Sequence, residues 1–209
     1  MCNLYRMTAP REAVASLFKA RPDATANFAE EVYPGYPGLV VADGRVQAMT
    51  WGFPLVLKSK RTGQPLKPKP VNNTREDKLH TAFWRDSFAK RRCLIPVSQW
   101  AEAAGETGRM TRTWYGLPDH DLFAIAGIWR PTIEWENAYS MVMVDSCALM
   151  VEVHDRMPTI LHQSDWQRWT EGTPDEAMAL CQVWNGLLAV NQTREPWYAR
   201  TETASAPRP

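Results

Sequence analysis

The stretch Arg91-Arg92-Cys93-Leu94-Ile95-Pro96-Val97-Ser98-Gln99-Trp100-Ala101-Glu102 combines a basic start, an apolar run and a final carboxylate. The apolar run over residues 93–97 predicts a short buried strand. Because Glu102 follows this apolar segment, we expect its carboxylate to be partly desolvated, which raises its pKa toward the range useful for proton transfer. A surface glutamate at a strand end is the alternative that this stretch leaves open.

The remaining strands follow from apolar runs on both sides of this segment. The pattern predicts a β-hairpin over residues 38–52 that turns at Ala42-Asp43-Gly44, and two further buried strands at 122–129 and 139–144, separated by a turn over 131–137. Several strands with few helices favour a mixed fold built on a barrel or a curled sheet.

Helices are predicted where apolar residues recur at helical spacing or where start signals occur. The predicted helices cover residues 9–19 and 77–90, and two later helices begin at the capping-box patterns Ser164 with Gln167 and Thr173 with Glu176. The fold class is therefore predicted to be α+β, with one domain over residues 1–200. The small, polar and proline-rich residues 201–209 predict a disordered tail.

Composition excludes several classes of protein. The chain has 209 residues, 44% of them hydrophobic, which suits one sizeable core. Its four cysteines are far apart with no CxxC pairing, so no metal site and no disulfide scaffold is predicted. Neither a secretory signal nor an apolar run of about 20 residues is present. We expect a soluble, cytoplasmic protein with no membrane association.

The positive charge is unevenly distributed although the formal net charge is only +1. Residues 58–75 contain no Asp or Glu but six cations: Lys58, Lys60, Arg61, Lys67, Lys69 and Arg75. Prolines interrupt residues 54–72 too often for a helix or a central strand, which predicts a long exposed basic loop. Such a loop is either functional or disordered, and a merely solvated loop is the alternative to a nucleic-acid contact.

Cys2 directly follows Met1, and a small second residue usually allows the methionine to be removed. Cys2 would then carry an α-amine with an ordinary pKa of about 7.7–8.0 next to a thiol with a pKa of about 8.5. The amine can form a Schiff base with an aldehyde, and the thiol can then close a five-membered thiazolidine. An idle second residue in a frayed terminus is the alternative.

Further polar residues are candidates for a site. His154 lies in the run Val153-His154-Asp155-Arg156-Met157-Pro158, where an imidazole, a carboxylate and a guanidinium are adjacent. Asn73 and Arg75 end the basic segment, and an arginine there can bind a phosphate through two hydrogen bonds. A structural role in turns or in hydrogen bonding remains open for each of them.

Seven short segments together resemble the SRAP family, the SOS response-associated peptidase or abasic-site processing proteins. They occur in the family's order over residues 2–161: Met1-Cys2, Trp51-Gly52, Asn73-Thr74-Arg75, Arg91-Arg92-Cys93-Leu94-Ile95-Pro96, Trp100-Ala101-Glu102, Phe123-Ala124-Ile125-Ala126-Gly127-Ile128-Trp129 and His154-Asp155-Arg156-Met157-Pro158. The resemblance implies a single domain with a β-barrel-like core flanked by helices, without a cofactor.

The resemblance also implies a reaction, the covalent capture of abasic sites in single-stranded DNA with an associated lyase activity. Cys2 would supply the amine and the thiol, Asn73 would hold the amino terminus or the sugar, and Glu102 would shuttle protons. His154 would assist opening of the sugar ring or protonation of its leaving oxygen. The cations that would bind DNA are Arg75, Arg156, Lys58, Lys60, Arg61, Lys67 and Lys69. The protein would act as a monomer in the cytoplasm, associated with the nucleoid when bound to DNA.

This chain departs from the family pattern near the amino terminus. It has Cys2-Asn3-Leu4 where the family typically has Cys-Gly-Arg, so an arginine expected near the DNA backbone is absent. Two other functions account for the same residues. One is a peptidase, limited to removal of its own first residue, that uses Cys2 as nucleophile and His154 as base. The other is a non-catalytic single-strand binding module that uses the basic segment.

Overall fold

A computed structural model describes residues 2–23, 26 and 28–197 of the chain. The strands are β1 (Leu4–Arg6), β2 (Arg21–Pro22), β3 (Glu31–Val32), β4 (Pro37–Ala42), β5 (Arg45–Trp51), β6 (Phe53–Leu55), β7 (Lys69–Val71), β8 (Asn73–Arg75), β9 (Arg92–Val97), β10 (Gln99–Ala104), β11 (Thr111–Gly116), β12 (Phe123–Thr132), β13 (Glu136–Asp145), β14 (Arg156–Pro158), β15 (Ile160–Leu161) and β16 (Ala189–Pro196). The helices are α1 (Arg11–Leu17), α2 (Arg85–Lys90), α3 (Trp166–Glu171) and α4 (Pro174–Met178), with 3₁₀ turns at Glu76–Lys78 and Gln163–Asp165.

Five strands close into a barrel. The ladder runs β13, β12, β9, β4 and β5, and β5 then pairs with β13 to close the ring. Every pairing in the ring is antiparallel except that of β5 with β13, which is parallel. Closure leaves these strands without an open edge. The expected α+β single domain with a β-barrel-like sheet and few helices is confirmed.

A second, five-stranded sheet lies beside the barrel in the order β16, β11, β10, β1 and β3. Neighbouring residues across its ladders share a face, so Tyr5, Trp100 and Tyr115 lie on one face and join the main hydrophobic core. Leu4, Ala101 and Trp114 lie on the other face and form a small separate cluster. This sheet carries both Cys2, just ahead of β1, and Glu102, on β10.

The hairpin predicted over residues 38–52 is confirmed as β4 and β5. Its two-residue turn has Asp43 and Gly44 at positive φ, 50° and 67°, as a type I′ turn requires.

The prediction of a strandless loop over residues 54–72 is wrong at both ends of that segment. β6 and β7 pair as an antiparallel ribbon, and an isolated bridge joins Lys58 to Pro65 farther out. Pro54 lies opposite Pro70 in this ribbon. Proline has no backbone N–H to donate, so it is confined to edge strands, and both strands of a two-stranded ribbon are edge strands. We call residues 53–71 the basic arm.

The helix predictions are partly correct. The first helix is confirmed but covers only α1, and the capping box at Thr173 is present, with Glu176 bonded to it in both directions. The helix predicted over 77–90 is α-helical only in α2, because Leu79 and Trp84 turn into the core ahead of it. The prediction of a capping box at Ser164 is wrong. Residues 163–165 form a 3₁₀ turn, and the Gln167 amide donates to Glu171 instead.

Arg92, the first residue of β9, has a structural role. Arg92 is buried, and its guanidinium donates to the carbonyl oxygens of Phe88 at 2.7 Å and Trp169 at 2.5 Å, and also to that of Gly172. It therefore ties α2 and α3 to the barrel.

The tail predicted over residues 201–209 lies outside the described residues. Within the part of the chain that the structure describes, no helix is long and apolar enough to cross a membrane.

Candidate active site around Cys2

Cys2 is buried, and its backbone is held in place by β8, the strand that follows the basic arm. The side-chain amide of Asn73 donates to the carbonyl oxygen of Cys2 at 2.6 Å, and the thiol of Cys2 lies 3.5 Å from the carbonyl oxygen of Leu4. The terminus is therefore docked rather than frayed. Burial raises the pKa of the Cys2 thiol well above its usual value, and the charge of Glu102 raises it further. The thiol is neutral at physiological pH.

Asn73 is placed by the barrel itself. It opens β8, which pairs in parallel with β13 so that Asn73 lies beside Met141. The residue is 6% exposed, and its side-chain oxygen has no hydrogen-bond partner among the described residues. An unpartnered buried acceptor is costly, by about 1–3 kcal/mol. This oxygen is available to an amine or a sugar hydroxyl that enters the site.

Glu102 lies on β10 and is 2% exposed. Burial raises the pKa of its carboxyl group to about 7, and the nearby charge of Asp155 contributes in the same direction. β1 pairs antiparallel with β10, with Leu4 opposite Ala101, so Cys2 and Glu102 lie at the same end of this ladder. The predicted desolvation of this carboxylate is confirmed. A group with a pKa near 7 can both donate and accept a proton at neutral pH.

His154 lies in the segment that connects β13 to β14. Its Nδ1 accepts a hydrogen bond from the backbone N–H of Arg156 at 2.9 Å and lies 3.1 Å from Oδ1 of Asp155. Burial lowers the pKa of the imidazole. Because Nδ1 accepts, the neutral ring carries its proton on Nε2.

A buried pair of tyrosines supports the strand that follows Cys2. The hydroxyl groups of Tyr5 and Tyr139 lie 2.5 Å apart and join β1 to β13. Burial raises the pKa of both phenols, so they remain neutral. Gly38 makes room for them, since a Cβ atom there would lie 2.1 Å from the Tyr5 hydroxyl and 2.2 Å from that of Tyr139. The pair fixes the five-stranded sheet against the barrel below the site.

The two arginines predicted to bind phosphates both have acidic neighbours. Arg75 is on β8, its side chain is 44% exposed, and it pairs with Asp77 at 2.9 Å. Arg156 begins β14, its side chain is only 13% exposed, and it contacts Asp145 at 2.8 Å and Glu76 at 3.4 Å. Arg156 therefore has less freedom to meet a ligand than Arg75.

The other predicted contacts lie on the basic arm. Its cations are Lys58, Lys60, Arg61, Lys67 and Lys69, all exposed. None of the five forms an ion pair with any residue in the described ranges. The arm begins two residues after Trp51 and ends immediately before Asn72 and Asn73. The positively charged basic arm is therefore directly connected to the two asparagines that contact Cys2.

Asn72 is a site residue that the sequence reasoning missed. Its side-chain amide donates to the Cys2 carbonyl oxygen at 2.9 Å, beside that of Asn73. The repeated Asn72-Asn73 at the end of the basic segment was the available signal.

Among the described residues, no group of three or more His, Cys, Asp or Glu side chains is arranged to hold a metal ion.

The fold and the site define a class: a single-domain barrel protein in which a docked second-residue cysteine meets an asparagine and a buried carboxylate. The sequence profile of the family described as SOS response associated peptidase (SRAP) matches residues 1–195. The chain belongs to the SRAP family.

Two relatives are named abasic site processing proteins, both from Bacillus subtilis (strain 168). YobE is 27% identical over 141 residues, which are 62% of this chain and 62% of YobE. YoqW is 26% identical over 160 residues, which are 70% of this chain and 69% of YoqW. The match to YobE thus spans less than two thirds of that protein's length.

Solved structures share the fold. A protein from Bacteroides thetaiotaomicron superimposes with a TM-score of 0.76 at 19% identity and covers 91% of each chain. A protein from Bordetella bronchiseptica gives a TM-score of 0.76 at 19% identity, over 92% of this chain and 99% of its own.

Proposed function

We propose that this protein processes abasic sites in single-stranded DNA by covalent capture at Cys2 once Met1 has been removed. The observation that carries the proposal is the docking of Cys2 by Asn73 at the end of the β1–β10 ladder that carries the buried carboxyl group of Glu102. The names of the relatives YobE and YoqW point to the same substrate class. Met1 itself lies outside the described residues.

The proposed reaction has two covalent steps. The α-amine of Cys2 adds to the aldehyde carbon of the ring-opened deoxyribose, and loss of one water leaves a Schiff base. The thiol then adds across the C=N bond, so that sulfur bonds to carbon and a proton reaches nitrogen. The product is a five-membered thiazolidine. Holding both nucleophiles in one residue makes the second step intramolecular.

Proton transfers in both steps fit the two titratable side chains. Glu102, with a pKa of about 7, accepts a proton from the amine or the thiol and returns it to the departing hydroxyl group. Neutral His154 carries a proton on Nε2 that can be donated to the sugar oxygen during ring opening. In the associated lyase reaction, the Schiff base acidifies C2′. Removal of a C2′ proton by Glu102 then expels the 3′ phosphate as the C3′–O bond breaks.

DNA binding would rely on the basic arm together with Arg75 and Arg156. Single strands are held by positive grooves that follow the phosphate backbone. The five cations of the arm, which form no ion pair within the described residues, offer such a surface close to Asn73, and we expect them to bind the phosphates that flank the captured nucleotide. Arg75 is the better placed of the two arginines because more of its side chain is exposed.

The test is a denaturing gel of the purified protein incubated with single-stranded DNA that contains one abasic site. Wild-type protein should give a shifted species that survives denaturation, and Cys2→Ala should not. Equal amounts of adduct from both proteins would reject the proposal. Affinity that is indifferent to the lesion, with a steep salt dependence and no adduct, would indicate a non-catalytic binding module instead.

A second candidate, removal of Met1 by the protein itself, is favoured by the family's description as a peptidase. Here the Cys2 thiol would be the nucleophile and His154 the base. Intact mass measurement separates the possibilities. Met1 retained in Glu102→Ala and His154→Ala but absent in wild type would support self-processing, whereas loss of Met1 from every variant would assign removal to an aminopeptidase.

A further inference from the structure

The carbonyl oxygen of Cys2 accepts hydrogen bonds from two side-chain amides. Nδ2 of Asn73 lies 2.6 Å away and Nδ2 of Asn72 lies 2.9 Å away. A carbonyl oxygen has two lone pairs, so the two amides together satisfy it. The amide of Asn72 also reaches Oδ1 of Asn3 at 3.2 Å and thus binds two successive residues of the terminus.

We propose that Asn72 is a positioning residue for the nucleophilic amine of Cys2, an inference that rests on the proposed function. After removal of Met1, the covalent chain restrains Cys2 only through its carbonyl side. Fixing that carbonyl group fixes the position of the α-carbon and the axis about which the amine and the thiol can rotate, and so narrows the range of their directions. One amide leaves the carbonyl free to swing about a single contact, whereas two amides and the Asn3 contact define its plane.

The backbone of Asn72 is anchored independently of its side chain. Its carbonyl oxygen accepts from Nε1 of Trp51 at 2.9 Å and from the backbone N–H of Met141 at 2.9 Å. These contacts link the end of the basic arm to the barrel. A substitution that changes only the side chain therefore leaves the strand pairing of the neighbouring Asn73 in place.

The two amides also act on the charge of the amine. Each N–H directs the positive end of its dipole at the carbonyl group adjacent to the amine. This disfavours the ammonium form, so the neutral, nucleophilic fraction of the amine is larger at a given pH. Removing one amide should reduce that fraction, and a merely structural role for Asn72 would not produce such a pH effect.

The test compares Asn72→Leu with wild type for the rate of adduct formation across pH. Leucine has the same number of side-chain heavy atoms, branched at the same carbon, and no donor. Loss of one hydrogen bond should slow adduct formation at saturating DNA by about five- to tenfold. The pH midpoint of the reaction should move upward, with affinity for undamaged single-stranded DNA unchanged. Asn191→Leu, on exposed β16, is the matched control and should behave as wild type.

A second variant of Asn72 and a double-mutant cycle with Asn3 complete the test. Asn72→Ala, which places no apolar branch beside the terminus, replaces Asn72→Leu if the latter fails to melt cooperatively. Asn3→Ala combined with the Asn72 variant should slow the reaction by less than the product of the single effects, because both remove the same contact. A wild-type rate and pH midpoint in the Asn72 variants would overturn the inference. Absence of adduct even with wild type would instead reject the proposed function.

Discussion

The side-chain amide of Asn73 and the backbone carbonyl of Cys2 lie 2.6 Å apart although 71 residues separate them in sequence. This contact joins the end of the basic arm to the start of β1, and it depends on the parallel pairing of β8 with β13. The amino terminus is therefore a component of the folded core, which is unusual for a second residue.

Burial of Glu102 should make the stability of the protein fall as the pH rises. The pKa of this carboxyl group is raised from 4.5 to about 7, so the folded state holds its proton more tightly than the unfolded state. Stability is then full below about pH 4.5 and is lost as the pH rises to about 7, by roughly 3 kcal/mol. Glu102→Gln should remove this loss. Urea unfolding of both proteins at pH 5 and pH 8 measures it, and equal pH dependence would contradict the buried carboxylate.

His154 should produce the opposite trend on the acidic side. Because burial lowers its pKa below the usual 6.5, the folded state binds the proton less tightly than the unfolded state. Its contribution is present above pH 6.5 and is lost as the pH falls through the lowered pKa. His154→Gln should therefore lose less stability than wild type between pH 7 and pH 5, as measured by thermal melting. A steeper loss in the variant would contradict this prediction.

The cations of the basic arm should set the salt dependence of DNA binding. The triple variant Lys60→Gln, Arg61→Gln and Lys67→Gln should bind single strands more weakly. The slope of log Kd against log salt should decrease by about 2, because each lost phosphate contact removes about 0.7. The matched control replaces three other exposed cations, Lys19, Arg21 and Arg109, with glutamine. An equal change in both triple variants would show that only net charge matters.

Gly38 should tolerate no side chain while both tyrosines below the site are present. Because a Cβ atom would lie about 2 Å from each hydroxyl, Gly38→Ala should destabilise the protein by about 1–3 kcal/mol or more. It should also slow adduct formation, since β1 must shift. Tyr139→Phe removes one of the two clashing oxygens and should restore part of the loss. Unfolding free energies of the single and double variants test this, and the absence of any restoration would contradict the steric cause.

Sequence reasoning selected candidate residues for the site but could not predict most of their contacts. Glu102 could be placed because it follows an apolar strand, and desolvation is a local consequence of that position. The Tyr5–Tyr139 pair could not, because its partners are 134 residues apart and meet only when two sheets pack together. The basic arm was read as a loop because its prolines exclude a central strand, but they do not exclude a two-stranded ribbon.

The arginines show the same limit. Arg92 and Arg156 look alike in sequence as exposed cations, but Arg92 is enclosed by backbone carbonyls and Arg156 faces Asp145 and Glu76. Two of these partners come from distant parts of the chain, Trp169 77 residues from Arg92 and Glu76 80 residues from Arg156. The sequence predicted the exposed cations of the basic arm because residues 58–75 contain no Asp or Glu. It could not show which arginines the fold pairs with carbonyl or carboxylate oxygens.

The central claim is that both nucleophiles of Cys2 react with one aldehyde, and intact mass measurement of the adduct tests it most directly. Wild-type protein should lack Met1 and carry one abasic oligonucleotide with the net loss of one water. Treatment with borohydride should leave this mass unchanged, because a closed thiazolidine has no C=N bond to reduce. Cys2→Ala should give an adduct only with borohydride, with two added hydrogens. A wild-type adduct that itself requires borohydride, or one that retains Met1, would contradict the account.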